Sequence, residues 1–376
     1  MFFSFAYALN SFTIASVYPS IPSVVGGGVS GLALNTSSFY LGNGIFLVPG
    51  GMMAAKIGAK KTIVFGTLLF SFAVAATALS NALYQFVFLR FVVGAGMAII
   101  LGPSFVLATK YFREGSEGVA VGVMNTFFGI GGVIGLSVWA ILGQFIGWRA
   151  GLLLSGVIGV ISGLLMLLVV PRDAHRPEFQ YRVSDLRRLI LNKFLILYGL
   201  VFVSLTIGTG LFGYFVVLYL HDSLGIDTGI AGLVGSLWLA FVLLISPLAG
   251  RAYHRMKDPR KFVFIAVTIL SIGIALPASG SVYGTILGAA FVGLAAGSSY
   301  TIVTALIKDI NRKESHEEYE SMAINWVNTI SYGGFWAPVL FSYAATTLGY
   351  GAGWLIGALV TFVWVIPLVF IRPRQS

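Results

Sequence analysis

Arg90, in "YQFVFLRFVVGAGMAIILG" (84–102), is the one charged side chain set inside an apolar run. A guanidinium keeps its charge at any physiological pH and carries five N–H donors, so in such a run it needs carbonyls, amides such as Asn10, or an anion around it. The 13 acidic residues offer none, since they fall in connections or at run ends: Glu114, Glu117, Asp173, Glu178, Asp185, Asp222, Asp227, Asp258, Asp309, Glu314, Glu317, Glu318 and Glu320. The histidines, His175, His221, His254 and His316, fall there too. A proton relay at mid-run is thereby missing, as are the general base, metal cluster or Ser-His pair of an intramembrane hydrolase. With no cysteine either, neither an enzyme nor a metal or cofactor site is expected. Neutral polar groups remain for a solute: Asn10, Ser11 and Thr13; Asn125 and Thr126; Thr206, Thr209 and Tyr214; "SSYT" (298–301) with Tyr300; and Asn325, Trp326, Asn328 and Tyr332. Buried amides and hydroxyls need partners, so each is either interhelical glue or the wall of a cavity.

The elements that must position these groups are membrane spans. Of 376 residues, 57% are hydrophobic and 10% charged, against about 25% charged in a soluble domain. Mean hydropathy is +0.93. Twelve hydrophobic runs follow one another, at 2–22, 32–54, 61–80, 84–106, 118–142, 149–170, 194–220, 228–250, 261–279, 284–307, 321–346 and 352–371. Each can cross a hydrocarbon core of about 30 Å, and each must be a helix because lipid offers its backbone no partners. The first run has no cationic flank, so a cleaved signal is not expected. The net charge of +10 suggests nucleic acid until its placement is considered. Of the 23 Lys and Arg, all but Arg90 and Arg149 fall in the even-numbered connections or after the last run. By the positive-inside rule both termini are then cytoplasmic, and the cations face anionic inner-leaflet lipid.

The longest connection, "RDAHRPEFQYRVSDLRRLILNK" (172–193), is basic and divides the chain into a first six-helix bundle (1–171) and a second (194–376). A short interfacial helix capped by Ser184 or Asp185 is expected within it. Two echoes between the bundles point to duplication: "GGMMAAKIGAKK" (50–61) with "AGRAYHRMKDPRK" (249–261), and "MNTFFGIGG" (124–132) with "VNTISYGG" (327–334).

At these residues the chain resembles the major facilitator superfamily, over its whole length. "GMMAAKIGAKK" is similar to that family's loop pattern G-x-L-A-D-R-x-G-R-K through Gly51, Lys56, Gly58 and Lys60, with Ala55 where the family has its aspartate. "RFVVGAG" matches the helix-4 pattern R-x-x-x-G-x-G through Arg90, Gly94 and Gly96. "YFREGSEGVAVG" (111–122) and "GWR" (147–149) look like the family's passage from helix 4 to helix 6. The helix-5 pattern G-P-x-x-G-G of proton-linked drug antiporters is not met, because "GIGGVIG" (129–135) has no proline.

The resemblance implies an all-α polytopic fold of two pseudo-symmetric six-helix bundles, rocking about a midplane site. It implies that helices 1, 4, 7 and 10 line the cavity, which favours Asn10, Arg90, Tyr214 and Tyr300, with Asn125 and Asn328 as further candidates. Gly51, Lys56, Gly58, Lys60, Glu117 and Arg255 are the candidate gating residues; with Ala55 in the aspartate's place, Glu117 is expected to pair with Lys56 or Lys60. Two readings of Arg90 stand: a hydrogen-bonded structural residue, or the grip on an anionic substrate. The expected function is carriage of a small organic solute across the plasma membrane by a monomer. An organic anion such as a carboxylate is favoured over a neutral sugar or a lipophilic drug, and uniport or exchange over proton symport. A channel lacks a filter-like carbonyl loop or charged ring.

Overall fold

The computed structural model describes residues 2–22, 25–110, 117–169, 190–253, 258–314 and 320–370, and no strand occurs among them. The first bundle comprises α1 (Phe2–Val17), α2 (Val29–Ile57), α3 (Ala59–Thr77), α4 (Leu83–Lys110) and α5 (Glu117–Val169). The second comprises α6 (Lys193–Leu224), α7 (Thr228–Tyr253), α8 (Pro259–Ala275), α9 (Val282–Glu314), α10 (Glu320–Ser331), α11 (Ala337–Leu348) and α12 (Tyr350–Val363). Eight stretches among the described residues are long and apolar enough to cross a membrane. One of them, Val123–Val169, is 47 residues long and breaks at Gly147, so it supplies two crossings. Short α1, polar α2 and the broken pair α10–α11 supply the others. The twelve-span all-α architecture is therefore the observed one.

Departures from the expected spans have local causes. The first helix ends at Val17 rather than residue 22, because Pro19 and Pro22 lack the N–H that would continue it; Tyr18–Ser20 form one 3-10 turn. The eleventh span is not one helix: α10 stops at Ser331, the chain turns through Tyr332–Gly334, and α11 resumes at Ala337. The last helix ends at Val363, followed by a 3-10 stretch over Ile366–Phe370. The basic linker's helix, and most of 172–193 with it, lies outside the described residues.

Close approach within each bundle depends on paired glycines. A Cβ on Gly96 (α4) would stand 3.0 Å from the carbonyl oxygen of Gly66 (α3), and one on Gly288 (α9) 2.6 Å from that of Gly273 (α8). Between the bundles, α1 meets α6, α5 meets α7, and α2 meets both α10 and α11.

Three reversals share one device. Gly58 (φ 92°, ψ 151°), Gly147 (φ 80°, ψ 158°) and Gly349 (φ 90°, ψ 160°) each join two helices in a backbone region almost closed to other residues. "IGWRAG" (146–151) and "LGYGAG" (348–353) are thus a third echo between the bundles, at equivalent turns. Nothing lies within 4 Å of a Cβ on Gly147 or on Gly333, yet only Gly147 has positive φ. Gly147→Ala should therefore cost about 1–3 kcal/mol in unfolding of the purified protein, and Gly333→Ala should be near neutral. Equal losses at both positions would show that space, not backbone conformation, decides.

Candidate substrate site

Arg90 lies seven residues into α4, about 10 Å along the helix from its N-terminal end. Two glycines bring α2 against it: a Cβ on Gly94 would strike the Phe39 carbonyl, and one on Gly42 the Phe91 carbonyl. The Phe39 ring is thereby held 4.7 Å from the guanidinium carbon of Arg90. Arg90 Nη2 donates to the Ser11 carbonyl of α1 at 3.2 Å, and the Tyr214 ring of α6 lies 5.9 Å away. With 2% of its surface exposed, Arg90 does not reach the outer headgroups. Its Nε has no hydrogen-bond partner among the described residues. A desolvated cation over a ring gains up to about 2 kcal/mol, and a charged hydrogen bond about 1.5–3 kcal/mol. A buried donor left unmade costs about 1–3 kcal/mol, so the groups around Arg90 hold its guanidinium without satisfying every donor.

Tyr214 comes from the second bundle and stands among residues of the first. Its hydroxyl lies 2.9 Å from Ser11 Oγ, and Phe12 stacks on its ring at 5.8 Å and 30°. Phe39 and Tyr40 meet the ring edge-on at 6.1 and 6.3 Å. Farther in, Tyr40 lies 5.5 Å from Tyr332 and donates to the Thr206 carbonyl at 3.2 Å, its hydroxyl filling the space that a side chain at Gly210 would take. Tyr300 touches Thr209 at 3.4 Å and meets Phe202 edge-on at 5.5 Å. Tyr7, Tyr300 and Tyr332 keep part of their surface exposed, though each lies well inside its span.

The other candidates are dispersed. Asn10 is fully buried and turns away from Arg90: its Nδ2 donates to Ala6 at 2.8 Å, beside Gly159 of α5. The expected amide support for Arg90 is therefore replaced by the Ser11 carbonyl, one residue and about 100° round the helix. Asn125 is exposed, on the α5 face that carries Phe128 and Gly132. Asn328 donates to Ile324 at 2.8 Å within its own helix. At the start of α3 Lys60 Nζ donates to the Leu167 carbonyl at 2.8 Å, tying α3 to the last turn of α5. Gly58 makes the α2–α3 reversal, Lys56 is exposed, and a Cβ on Gly51 would meet Asn325 Nδ2 at 3.3 Å. The Glu117 side chain and Arg255 lie outside the described residues, and the expected Glu117 pairing with them.

Phe12, Phe39, Tyr40 and Tyr7 were not among the sequence candidates. Helix geometry held a usable signal, because Phe39 lies just before Gly42, whose bare backbone lets α2 reach α4. A separate crevice of about 660 Å³ opens sideways between α2 and α11, walled by Leu34, Leu41, Val87, Trp336, Val339 and Tyr343 and holding no charged side chain.

The family model described as "Major Facilitator Superfamily" matches residues 1–256 and again 198–376. The chain belongs to the major facilitator superfamily. It is a multi-pass membrane transporter. Among curated relatives it is 26% identical to the multidrug resistance protein MdtM of Escherichia coli O157:H7, over 70% of this chain and 68% of that protein. It is 26% identical to the probable sulfoacetate transporter SauU of Cupriavidus necator, over 97% of this chain and 90% of that one. It is also 28% identical to the 4-hydroxybenzoate transporter PcaK of Pseudomonas aeruginosa, over 38% of this chain and 32% of that protein. The fold matches that of the nucleoside transporter NupG (D323A mutant) with a TM-score of 0.76 at 14% identity, over 98% of both chains.

At the helix ends that carry Gln144 and Ser30 two further contacts join the bundles. Gln144 Nε2 donates to Asp227 Oδ2 at 2.8 Å, and Ser30 and Ser342 hydroxyls meet at 3.2 Å. The Gln144 hydrogen bond, then those from the Ile230 and Gly229 amides, hold the Asp227 carboxyl below its usual range. A depressed carboxylate contributes above its unfolded pKa of about 4 and loses that contribution as pH falls through the folded value. Spin labels at Phe145 and Ile230, both exposed, should keep one distance from neutral pH to about 5 and broaden below about 4. Asp227→Asn should abolish that step; persistence of the step in the variant would assign it elsewhere.

Proposed function

We propose that this carrier moves a small organic anion, favoured as a carboxylate, by rocker-switch alternating access with Arg90 as the anion contact. The observation that carries this is the buried guanidinium with an unmade Nε–H and no carboxylate within contact distance among the described residues. An anion satisfies both charge and donor, whereas a neutral solute satisfies only the donor. Two of the relatives are named for anionic cargo, sulfoacetate and 4-hydroxybenzoate. Absence of a carboxylate in the spans favours uniport or exchange over proton symport. The carrier works as a monomer in the plasma membrane with both termini cytoplasmic, as the placement of Lys and Arg indicates.

Drug efflux is the second reading, favoured by the match to MdtM. It predicts transport of lipophilic cations or neutral molecules that does not depend on Arg90.

In proteoliposomes, Arg90→Lys keeps the charge but loses the planar fork, so anion affinity should fall while the fold survives. Arg90→Gln should abolish anion uptake and leave the protein at least as thermally stable as its parent, because a charge costing on the order of 3 kcal/mol at a span centre is gone. Unchanged uptake by Arg90→Gln, or its unfolding, would make Arg90 structural and favour the second reading. For orientation, Lys61→Cys should react with an impermeant thiol reagent from the cytoplasmic side and Ser223→Cys from outside, against a parent without cysteine. The reverse pattern would invert the topology.

A further inference from the structure

Tyr214 reaches Arg90 from the second bundle, and every other group around its ring and hydroxyl named above belongs to the first bundle: Ser11, Phe12, Phe39 and Tyr40. The first bundle thus presents a socket: a ring face from Phe12, ring edges from Phe39 and Tyr40, a hydroxyl from Ser11, and guanidinium donors from Arg90. What fills the socket here is a phenol, tethered to a helix that must move relative to the first bundle whenever the outer side opens. A side chain seated in a site built by another body reports the chemistry of that site, as a bound ligand would.

From this we infer that the Tyr214 side chain is a built-in stand-in for the substrate: when the outer side opens it leaves the socket, and an aryl anion, a flat aromatic ring bearing a carboxylate or phenolate, takes its place on Arg90. The inference rests on the anion reading above and narrows it to aromatic anions. The Phe12 ring stacks on the incoming ring as it now stacks on Tyr214, while the anionic group meets the unpaired Nε and the Nη groups of Arg90. A neutral phenol leaves the cation uncompensated; an aryl anion compensates it, so substrate wins the socket from outside. As the bundles close again, Tyr214 returns and competes the anion off Arg90 toward the inner side, where Tyr7, Tyr300 and Tyr332 retain exposed surface. Ring and anion are both required: an aliphatic anion forgoes the stacking, and a neutral ring forgoes the charge.

Calorimetric titration of the purified full-length carrier with benzoate, cyclohexanecarboxylate and benzamide tests this directly. Stacking predicts benzoate tighter than cyclohexanecarboxylate by roughly three- to tenfold, and benzamide weaker than either. Removing the competitor in Tyr214→Ala should tighten benzoate by about tenfold, since a binding-competent socket is then populated without opening work. Equal affinities for benzoate and cyclohexanecarboxylate would overturn the aryl class and leave the anion reading intact. Benzamide binding as well as benzoate would overturn the anion reading itself. Binding of none of the three, to parent or variant, would overturn the inference, while Arg90→Gln uptake still decides the broader reading. Should Tyr214→Ala not fold, Tyr214→Phe keeps the ring and loses the contacts of its hydroxyl with Ser11 and Arg90; it should tighten benzoate less than tenfold but measurably, and unchanged affinity in that variant would refute the competition.

Discussion

A single cation held at membrane depth without a counter-charge governs this molecule. Moving a guanidinium into a span costs on the order of 3 kcal/mol, and Arg90 recovers most of that from one carbonyl and the Phe39 ring. The remainder, an Nε–H with nothing to bond among the described residues, leaves the site short of one acceptor and one negative charge. A residue kept only for structure is better served by an apolar side chain of similar volume, because buried ionic groups seldom stabilise over a hydrophobic replacement. An anionic cargo, as proposed, supplies both the acceptor and the negative charge.

That constraint also explains why the surrounding helices are so bare. Arg90 is reached by Phe39 only because Gly42 and Gly94 let α2 and α4 touch backbone to backbone, and by Ser11 only because α1 lies against α5 at Gly131 and Gly135. The second bundle repeats the device at Gly293, whose absent side chain admits the Trp238 carbonyl. Trp238 stands to Phe12 as Phe39 stands to Arg90, edge to ring rather than ring to cation. At this level the two bundles meet both through Tyr214 and through apolar contacts, with Trp238 edge-on to Phe12 and Leu239 against Gly132.

Much of the architecture was legible in the sequence, and for a physical reason: lipid leaves the backbone one choice, so apolar length marks most of the spans, all but short α1, polar α2 and the broken pair α10–α11. The breaks at Pro19 and after Ser331 were less legible, because a proline or a glycine pair within an apolar run changes the helix without changing its hydropathy. Arg90 was visible as the sole charge in a span. Its partners were harder to read. Asn10 and Ser11 are adjacent in the chain, yet the first turns into its own bundle and the second to the centre, a difference of helix phase that composition does not encode. The rings of Phe12, Phe39 and Tyr40 were indistinguishable from ordinary core in a chain that is 14% aromatic. Third-neighbour glycines were the available clue to phase, since they mark where two backbones touch and hence which way the residues between them face.

The central claim is that an anion completes the coordination of Arg90. An anomalous-scattering map from a crystal soaked in 4-iodobenzoate tests it most directly, because the iodine fixes the far end of the ring and the carboxylate direction follows. The account predicts an iodine peak one ring-length from Arg90, with the carboxylate on its Nε edge and the ring against Phe12 in place of Tyr214. An ordered iodine peak elsewhere, in the sideways crevice between α2 and α11 or at the cytoplasmic lysines, with Arg90 still covered by Tyr214, would contradict it.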